Sequence, residues 1–190
     1  MIGTKMIEIP ILNKKTNEYK DWKVDEYRIY APRPLTSFYK YAGVDSGSVN
    51  LGISLLYSDN DGVDKAILWQ IKLVRDDDPI NRILLARQII QFTLNFYTKI
   101  KLAIIENAAY AKGFRQVELA EQRASIALSL INISCKVQMI APMTIRKEVF
   151  GSGKIKAHEA WQLAGIPKNK QPNDALAALS CAYYGMIKGE

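Results

Sequence analysis

Short apolar runs separated by polar turns divide the chain from Tyr41 onward into alternating strands and helices. Apolar runs of about four to eight residues between turn residues predict strands, whereas apolar residues recurring every three or four positions predict helices. The predicted strands are 41–45, 51–57, 66–74, 102–107 and 136–140, and the predicted helices are 79–99, 114–131, 143–150, 156–164 and 173–187. Three meandering strands followed by β-α-β-α units indicate an α/β fold, a mixed sheet with helices on its faces.

Residues 1–40 have a different composition, rich in charged and aromatic side chains. This stretch ends near residues 31–34, where two prolines separated by one residue would interrupt a strand or helix. Residues 6–12 and 24–30 predict short strands on either side of a polar turn. We therefore expect an N-terminal extension over 1–40 and a main domain over 41–190. The extension is either a hairpin packed on that domain or an arm that contacts nucleic acid or a second copy.

Composition narrows the class of protein. The chain has 190 residues, of which 48% are hydrophobic and 24% charged, and its net charge of +7 favours a polyanionic partner. Two cysteines exclude a disulfide-stapled scaffold, and a single histidine argues against histidine-rich zinc sites and a Ser-His-Asp triad. No apolar run approaches the roughly 18–20 residues of a membrane span. A cytoplasmic protein with no membrane contact is expected.

Acidic residues close two otherwise apolar strands. Asp45 ends the run YAGVD and Glu106 ends the run LAIIE, and neither run contains a cation. A buried carboxylate is costly unless it is paired or binds a metal ion. If these strands are adjacent and parallel, both side chains emerge at one sheet edge. Asp174 begins the last predicted helix, where small residues such as Ala178 would allow close packing on the sheet. Three oxygen donors without histidine or thiolate suit Mg²⁺ or Mn²⁺. Two such metal ions, bound close together, are a recurrent arrangement in enzymes that cleave phosphodiesters.

Five segments, taken together, resemble the motifs of a known protein family. They are GVDSGSVNLGISLL (43–56), IIENAAYAKG (104–113), LAEQRAS (119–125), FGSGKIK (150–156) and NDALAALS (173–180). In this order and spacing they resemble the RuvC family of Holliday junction resolvases and, more broadly, the ribonuclease H-like nucleases, over about residues 41–184. The resemblance implies a mixed five-stranded sheet in the order 3-2-1-4-5 with helices on both faces. It also implies that Asp45, Glu106 and Asp174 are the catalytic metal ligands.

The activity that this resemblance implies is a crossover junction endodeoxyribonuclease of DNA recombination and repair. Two Mg²⁺ ions per site, replaceable by Mn²⁺, would support hydrolysis to a 5′-phosphate and a 3′-hydroxyl. A homodimer would match the symmetry of a four-way junction. The chain departs from the family at Gln171, where an Asp or His is usual, and whether Gln171 binds metal through its neutral oxygen stays open.

Basic and aromatic residues near these motifs are candidates for DNA binding. Cations cluster between Pro142 and Pro172, and they either contact phosphates or form an ordinary solvated face. The segment after Glu106 resembles the family loop that enters the junction, where an aromatic ring either stacks on an unpaired base or joins the core. The candidates are Arg146, Lys147, Lys154 and Lys156 in the first group, and Tyr110, Lys112, Phe114 and Arg115 in the second.

Two other interpretations use the same residues. One is a different ribonuclease H-fold nuclease, of an RNA-processing or phage DNA-packaging type. The other is a non-catalytic DNA-binding relative, in which Gln171 marks decayed metal binding. An actin-like ATPase begins with a similar Asp-x-Gly hairpin, but it needs a duplicated second domain for which 190 residues leave no room.

Overall fold

The structure is a computed structural model that describes residues 3–13, 17–35, 39–47, 49–73, 79–97, 99–107, 114–162 and 173–189. Within these ranges the chain forms seven strands and five helices. The strands are β1 (Gly3–Asn13), β2 (Glu18–Tyr30), β3 (Lys40–Ser46), β4 (Asn50–Ser58), β5 (Asp64–Lys72), β6 (Ile100–Glu106) and β7 (Lys136–Ile140). The helices are α1 (Pro79–Leu94), α2 (Phe114–Asn132), α3 (Pro142–Phe150), α4 (Ala157–Gln162) and α5 (Asn173–Lys188).

All seven strands form one mixed sheet in the order β1-β2-β5-β4-β3-β6-β7. Strand β3 pairs in parallel with β6, and β6 with β7, whereas the other neighbours are antiparallel. The strands from β3 onward have the predicted relative order 3-2-1-4-5, which is confirmed. The predicted number of five strands is wrong, because β1 and β2 extend the same sheet beyond β5.

The β1–β2 hairpin is longer than the sequence predicted, and it is hydrogen-bonded into the sheet. Eleven residue pairs join β1 to β2, and residues 25–30 of β2 pair with β5. Side chains alternate between the two faces of each hairpin strand, and those on one face join the core. Ile9, Ile11 and Val24 are buried between the sheet and α1. Among the described residues, the hairpin is therefore part of the main sheet, while a domain boundary near residue 40 stays a prediction.

Two hydrophobic layers cover the two faces of the sheet. Side chains alternate along each strand, so neighbouring residues pack into opposite layers. On one face, Val44 of β3 packs with α1 and α2, and on the other face Tyr41 packs with α3, α4 and α5. Helices thus lie on both faces, as expected for a ribonuclease H-like fold.

Helix boundaries differ from the predicted ones where local backbone chemistry intervenes. Helix α1 ends at Leu94 instead of near residue 99, where Lys99 has a left-handed φ of 63°. Helix α3 starts with Pro142 at its first turn and ends at Gly151, whose φ of 77° is left-handed. The predicted end of the fourth helix, residues 163–164, lies outside the described residues.

A short strap joins the hairpin to the helical layer around α5. Arg33 donates its backbone N–H to the Tyr183 hydroxyl at 2.9 Å, and that hydroxyl donates to the Arg33 carbonyl oxygen at 2.8 Å. The Arg33 guanidinium donates to the carbonyl oxygen of Val149 at 2.6 Å and lies over the rings of Phe150 and Trp161. Burial raises the pKa of Tyr183 to about 12, so this phenol remains a hydrogen-bond donor at neutral pH.

Candidate metal and nucleic-acid site

The two strand-end acids lie next to each other. Val44 of β3 is paired with Ile105 of β6 in parallel register, so the residues that follow them, Asp45 and Glu106, emerge at the same edge of the sheet. The predicted adjacency of these strands is confirmed. Asp45 and Glu106 are both half-buried residues.

The third acid reaches this edge on helix α5. Asp174 occupies the first turn of the helix, which packs across β3 and β4. Two glycines allow that close approach: a Cβ on Gly43 would overlap the carbonyl oxygen of Ala178, and a Cβ on Gly52 would overlap that of Asp174. Because Gly52 is the cross-strand partner of Asp45, the first turn of α5 is seated beside that carboxylate.

The three carboxylates influence one another electrostatically. The pKa of Asp45 is raised well above its usual value, first by burial and then by the charges of Glu106 and Asp174. Burial also raises the pKa of Glu106; Asp174 adds to this effect, while Arg146 and Arg123 oppose it. Acids whose pKa values are raised by burial and by neighbouring charges, as those of Asp45 and Glu106 are, mark candidate functional sites.

Arg123 and Arg146 supply positive charge that opposes the rise in the pKa values of Asp45 and Glu106. Arg123 of α2 is buried, and its Nη1 donates to the Asn107 side-chain oxygen at 3.4 Å. Burial lowers the pKa of Arg123, and the charges of Asp45 and Glu106 raise it in opposition. Within the described part of the chain, its Nε has no hydrogen-bond partner. Arg123 is thus a buried cation beside the acids, with donor capacity unused.

The residues at this edge fit a hard divalent cation. Carboxylate oxygens are the preferred ligands of Mg²⁺ and Mn²⁺, and the two cysteine thiols, Cys135 and Cys181, are both buried. Across the described ranges, however, no three His, Cys, Asp or Glu side chains lie close enough to form a metal centre. Asp174 is hydrogen-bonded to Gln70 instead. Their metal role stays a prediction.

The predicted DNA-binding residues differ in their exposure, and some lie outside the described residues. Lys147, Lys154 and Lys156 are exposed around the end of α3 and the start of α4, and Lys156 is paired with Glu159 at 3.5 Å. Arg146 is half-buried and acts electrostatically on Asp45 and Glu106. Other candidates fall outside the described residues: Tyr110, Lys112 and Gln171 entirely, and Phe114 and Arg115 in their side chains.

Sequence reasoning missed two residues of this site. Gln70, in the middle of β5, donates its Nε2 to the Asp174 Oδ2 at 2.7 Å. It lies 104 residues from that partner along the chain, so only the fold brings the two together. Arg123 was within the segment LAEQRAS, but nothing local distinguishes a buried arginine from a solvated one on a helix.

The architecture is similar to that of one class of α/β domain. The strand order, the parallel β3–β6 pair and the helices on both faces are those of a ribonuclease H-like α/β domain. No protein-family model matches the chain, and no curated protein matches it. Within the described residues, no helix is long and apolar enough to cross a membrane.

Solved structures give a more particular likeness. The RuvC structure of Thermus thermophilus aligns with a TM-score of 0.62 and 16% identity, covering 79% of this chain and 96% of that one. The same organism's RuvC in complex with a Holliday junction substrate aligns with a TM-score of 0.61 and 12% identity, covering 77% and 91%. The chain therefore has a RuvC-like fold, which confirms the resemblance at the level of the fold.

Proposed function

We propose that this protein is a metal-dependent endonuclease that nicks branched DNA, with the four-way junction as its preferred substrate. The observation that carries the proposal is that Asp45 and Glu106 end adjacent parallel strands of a RuvC-like fold, and that their pKa values are raised in part by the charge of Asp174. One such neighbour is bound to a Holliday junction, which supports the choice of substrate.

The three carboxylates of Asp45, Glu106 and Asp174 would hold two Mg²⁺ ions. When bound, such ions supply Lewis acidity and neutralise charge on the phosphate that is cleaved. The chain itself lowers the energy of this cluster, because Arg123 and Arg146 offset part of the repulsion among the acids. Hydrolysis would leave a 5′-phosphate and a 3′-hydroxyl.

Exposed cations on α3 and on the segment that follows it are suited to hold the DNA backbone. Lys154 and Lys156 follow the α3 terminus, where Gly151 turns the chain with a left-handed φ of 77°. Lys147 is exposed on α3 itself. Contacts from lysines to phosphates are independent of sequence, so they would position the duplex arms without selecting a base.

Helix α2 offers a surface for a second copy of the chain. Its outward face carries apolar residues at helical spacing, among them Val117, Leu128 and Ile131, which are 58%, 58% and 55% exposed. A stripe of this kind on a helix surface is typical of an interaction site. A twofold dimer through α2 would present two acid clusters to the two symmetric strands of a junction. The two free, buried cysteines are in keeping with a reducing, cytoplasmic setting.

The decisive experiment compares cleavage of four-way junctions, flaps, linear duplexes and RNA–DNA hybrids with Mg²⁺. Asp45→Asn should reduce nicking of the junction to the level of a no-enzyme control, because it removes one of the three carboxylates. Junction binding in Ca²⁺ or EDTA should remain, because the lysines are untouched. Asp21→Asn, at an exposed position of β2, is the matched control and should cleave normally.

Each alternative function gives a different pattern in the same panel. Preferential cleavage of the RNA–DNA hybrid or of linear duplex would replace the junction assignment with another ribonuclease H-fold nuclease. Undiminished junction cleavage by Asp45→Asn would refute the site. Junction binding without Mn²⁺ uptake by the wild-type protein would identify a non-catalytic DNA-binding protein.

A further inference from the structure

Gln70 lies in a row of residues that crosses the sheet at the acid cluster. Asp45 of β3 is paired with Gly52 of β4, and Gly52 is paired with Gln70 of β5. Directly paired residues project from the same face of a sheet. The row therefore presents, side by side, a carboxylate, a position with no side chain and a carboxamide.

The first turn of α5 occupies the gap that Gly52 leaves. A Cβ at this position would overlap the backbone of Asp174 and would lie 2.5 Å from the Ala175 nitrogen. The backbone of Asp174 is consequently seated against β4, with Asp45 on one side of it and Gln70 on the other. Only the side chain of Asp174 then retains freedom to turn.

The Gln70 carboxamide removes part of that freedom through two hydrogen bonds. Its Nε2 donates to the Asp174 Oδ2 at 2.7 Å, and its Oε1 accepts the Ala175 backbone N–H at 3.0 Å. The first bond fixes the rotation of the carboxylate, and the second satisfies a free N–H of the helix start. A carboxamide carries the donor and the acceptor that this arrangement needs, whereas an ionised carboxylate lacks the donor.

We propose that Gln70 is a positioning residue that orients the Asp174 carboxylate for binding a divalent cation. This inference rests on the proposed function, since it assigns a cation to Asp174. The hydrogen bond to Oδ2 opposes the repulsion that Asp174 experiences from Asp45 and Glu106. It also leaves the other oxygen, Oδ1, free of Gln70. A carboxylate already turned toward its ligand loses less freedom on binding, so affinity rises.

Mn²⁺ binding to the full-length protein, measured by isothermal titration calorimetry without DNA, tests this role. Gln70→Met keeps the side-chain length but removes both hydrogen bonds, and it should weaken Mn²⁺ binding by about 10- to 100-fold. Gln138→Met, at an exposed position of β7, is the matched control and should bind like the wild type. If Gln70→Met does not fold, as judged by circular dichroism, Gln70→Asn replaces it, since the shorter amide does not reach Asp174.

A double-mutant cycle separates positioning from a purely structural role. In the Asp174→Asn background, Gln70→Met should change Mn²⁺ affinity by less than about twofold, because Gln70 acts through a carboxylate that is no longer present. An equal loss in both backgrounds would overturn the proposal. So would an unchanged affinity of Gln70→Met in the wild-type background, and the nuclease assignment would then still stand. Absence of Mn²⁺ binding by the wild type would overturn both.

Discussion

Asp45, at the end of β3, is desolvated by burial and experiences the negative charges of Glu106 and Asp174, and without a cation this arrangement costs stability. Its raised pKa means that the folded protein holds a proton more tightly than the unfolded chain does. In the pH range between the two pKa values, the folded state binds more protons, so the free energy of unfolding falls as pH rises. Function and stability therefore make opposite demands at this residue.

Replacing Asp45 should stabilise the metal-free protein while removing the proposed activity. We expect Asp45→Asn to raise the free energy of unfolding near neutral pH, because the raised pKa of Asp45 makes its ionised form costly in the folded protein. The difference should shrink as the pH falls toward the ordinary aspartate pKa of 3.8 and disappear below it, where Asp45 is protonated in the folded and the unfolded chain. Urea unfolding in EDTA at about pH 4 and about pH 8 measures it. A lower stability of Asp45→Asn at both pH values would contradict the assigned electrostatics.

Sequence alone predicted that Asp45 and Glu106 end neighbouring strands, and the reason is physical. Asp45 and Glu106 each end a continuous apolar run, and an acid there is conspicuous because burial is costly. Gln70 gave no such signal, since a glutamine inside a strand is compatible with either face. Its role depends on the pairing of β5 with β4 and on the seat of α5, which are properties of the folded chain.

At the scale of elements, helix α5 depends on the absence of side chains beneath it. Gly43 has no room for a Cβ, which would overlap the Ala178 carbonyl oxygen and lie 2.6 Å from the Ala182 nitrogen. These are backbone atoms in the middle of a helix, so they cannot turn away as a side chain would. Ser54, beside Gly43, strengthens the contact by donating its hydroxyl to the same Ala178 oxygen at 2.8 Å.

Gly43→Ala should therefore displace α5 from the sheet. We expect a loss of about 2–3 kcal/mol in the free energy of unfolding, which is the upper range for overpacking a core. Chemical denaturation followed by circular dichroism measures the loss. Gly3→Ala, where a Cβ would meet nothing within 4 Å, is the matched control and should be neutral. Equal stability of the two variants would show that α5 does not press on β3.

The hairpin shows why element length was harder to predict than element order. The predicted strand over 6–12 already includes Pro10, although proline cannot donate to a strand ladder. Leu12 donates its N–H to the Gln88 side chain of α1 at 3.0 Å, so this side of β1 faces away from β2. Pro10, two residues earlier, lies on the same outer side, where its missing N–H costs the ladder nothing. The strand therefore continues through Pro10 to Asn13.

At the scale of the whole molecule, the proposed dimer joins two copies through α2. Leu128→Lys places a charge in the middle of the exposed stripe, where a partner would bury it without a counter-ion. We expect this variant to be monomeric and to nick junctions on one strand at a time, whereas the wild type is dimeric. Size-exclusion chromatography with light scattering measures the mass of each.

The control for this change lies on another element. Tyr19→Lys, at a position of β2 that is 73% exposed, should leave the mass unchanged. A wild-type protein that is monomeric at micromolar concentration would contradict a dimer through α2. Equal masses of wild type and Leu128→Lys, both dimeric, would place the contact on a different surface.

Gly43 and Gly52 affect how a saturation-mutagenesis survey of this chain should be interpreted. Both positions lie against backbone atoms of α5 and would reject every other amino acid, just as the acids would. A map of tolerated substitutions scored by cell survival would not distinguish positions that are needed for packing from positions that are needed for chemistry. Scoring the yield of folded protein alongside survival would separate them, since the glycine variants should fail both screens and the acid variants only the second.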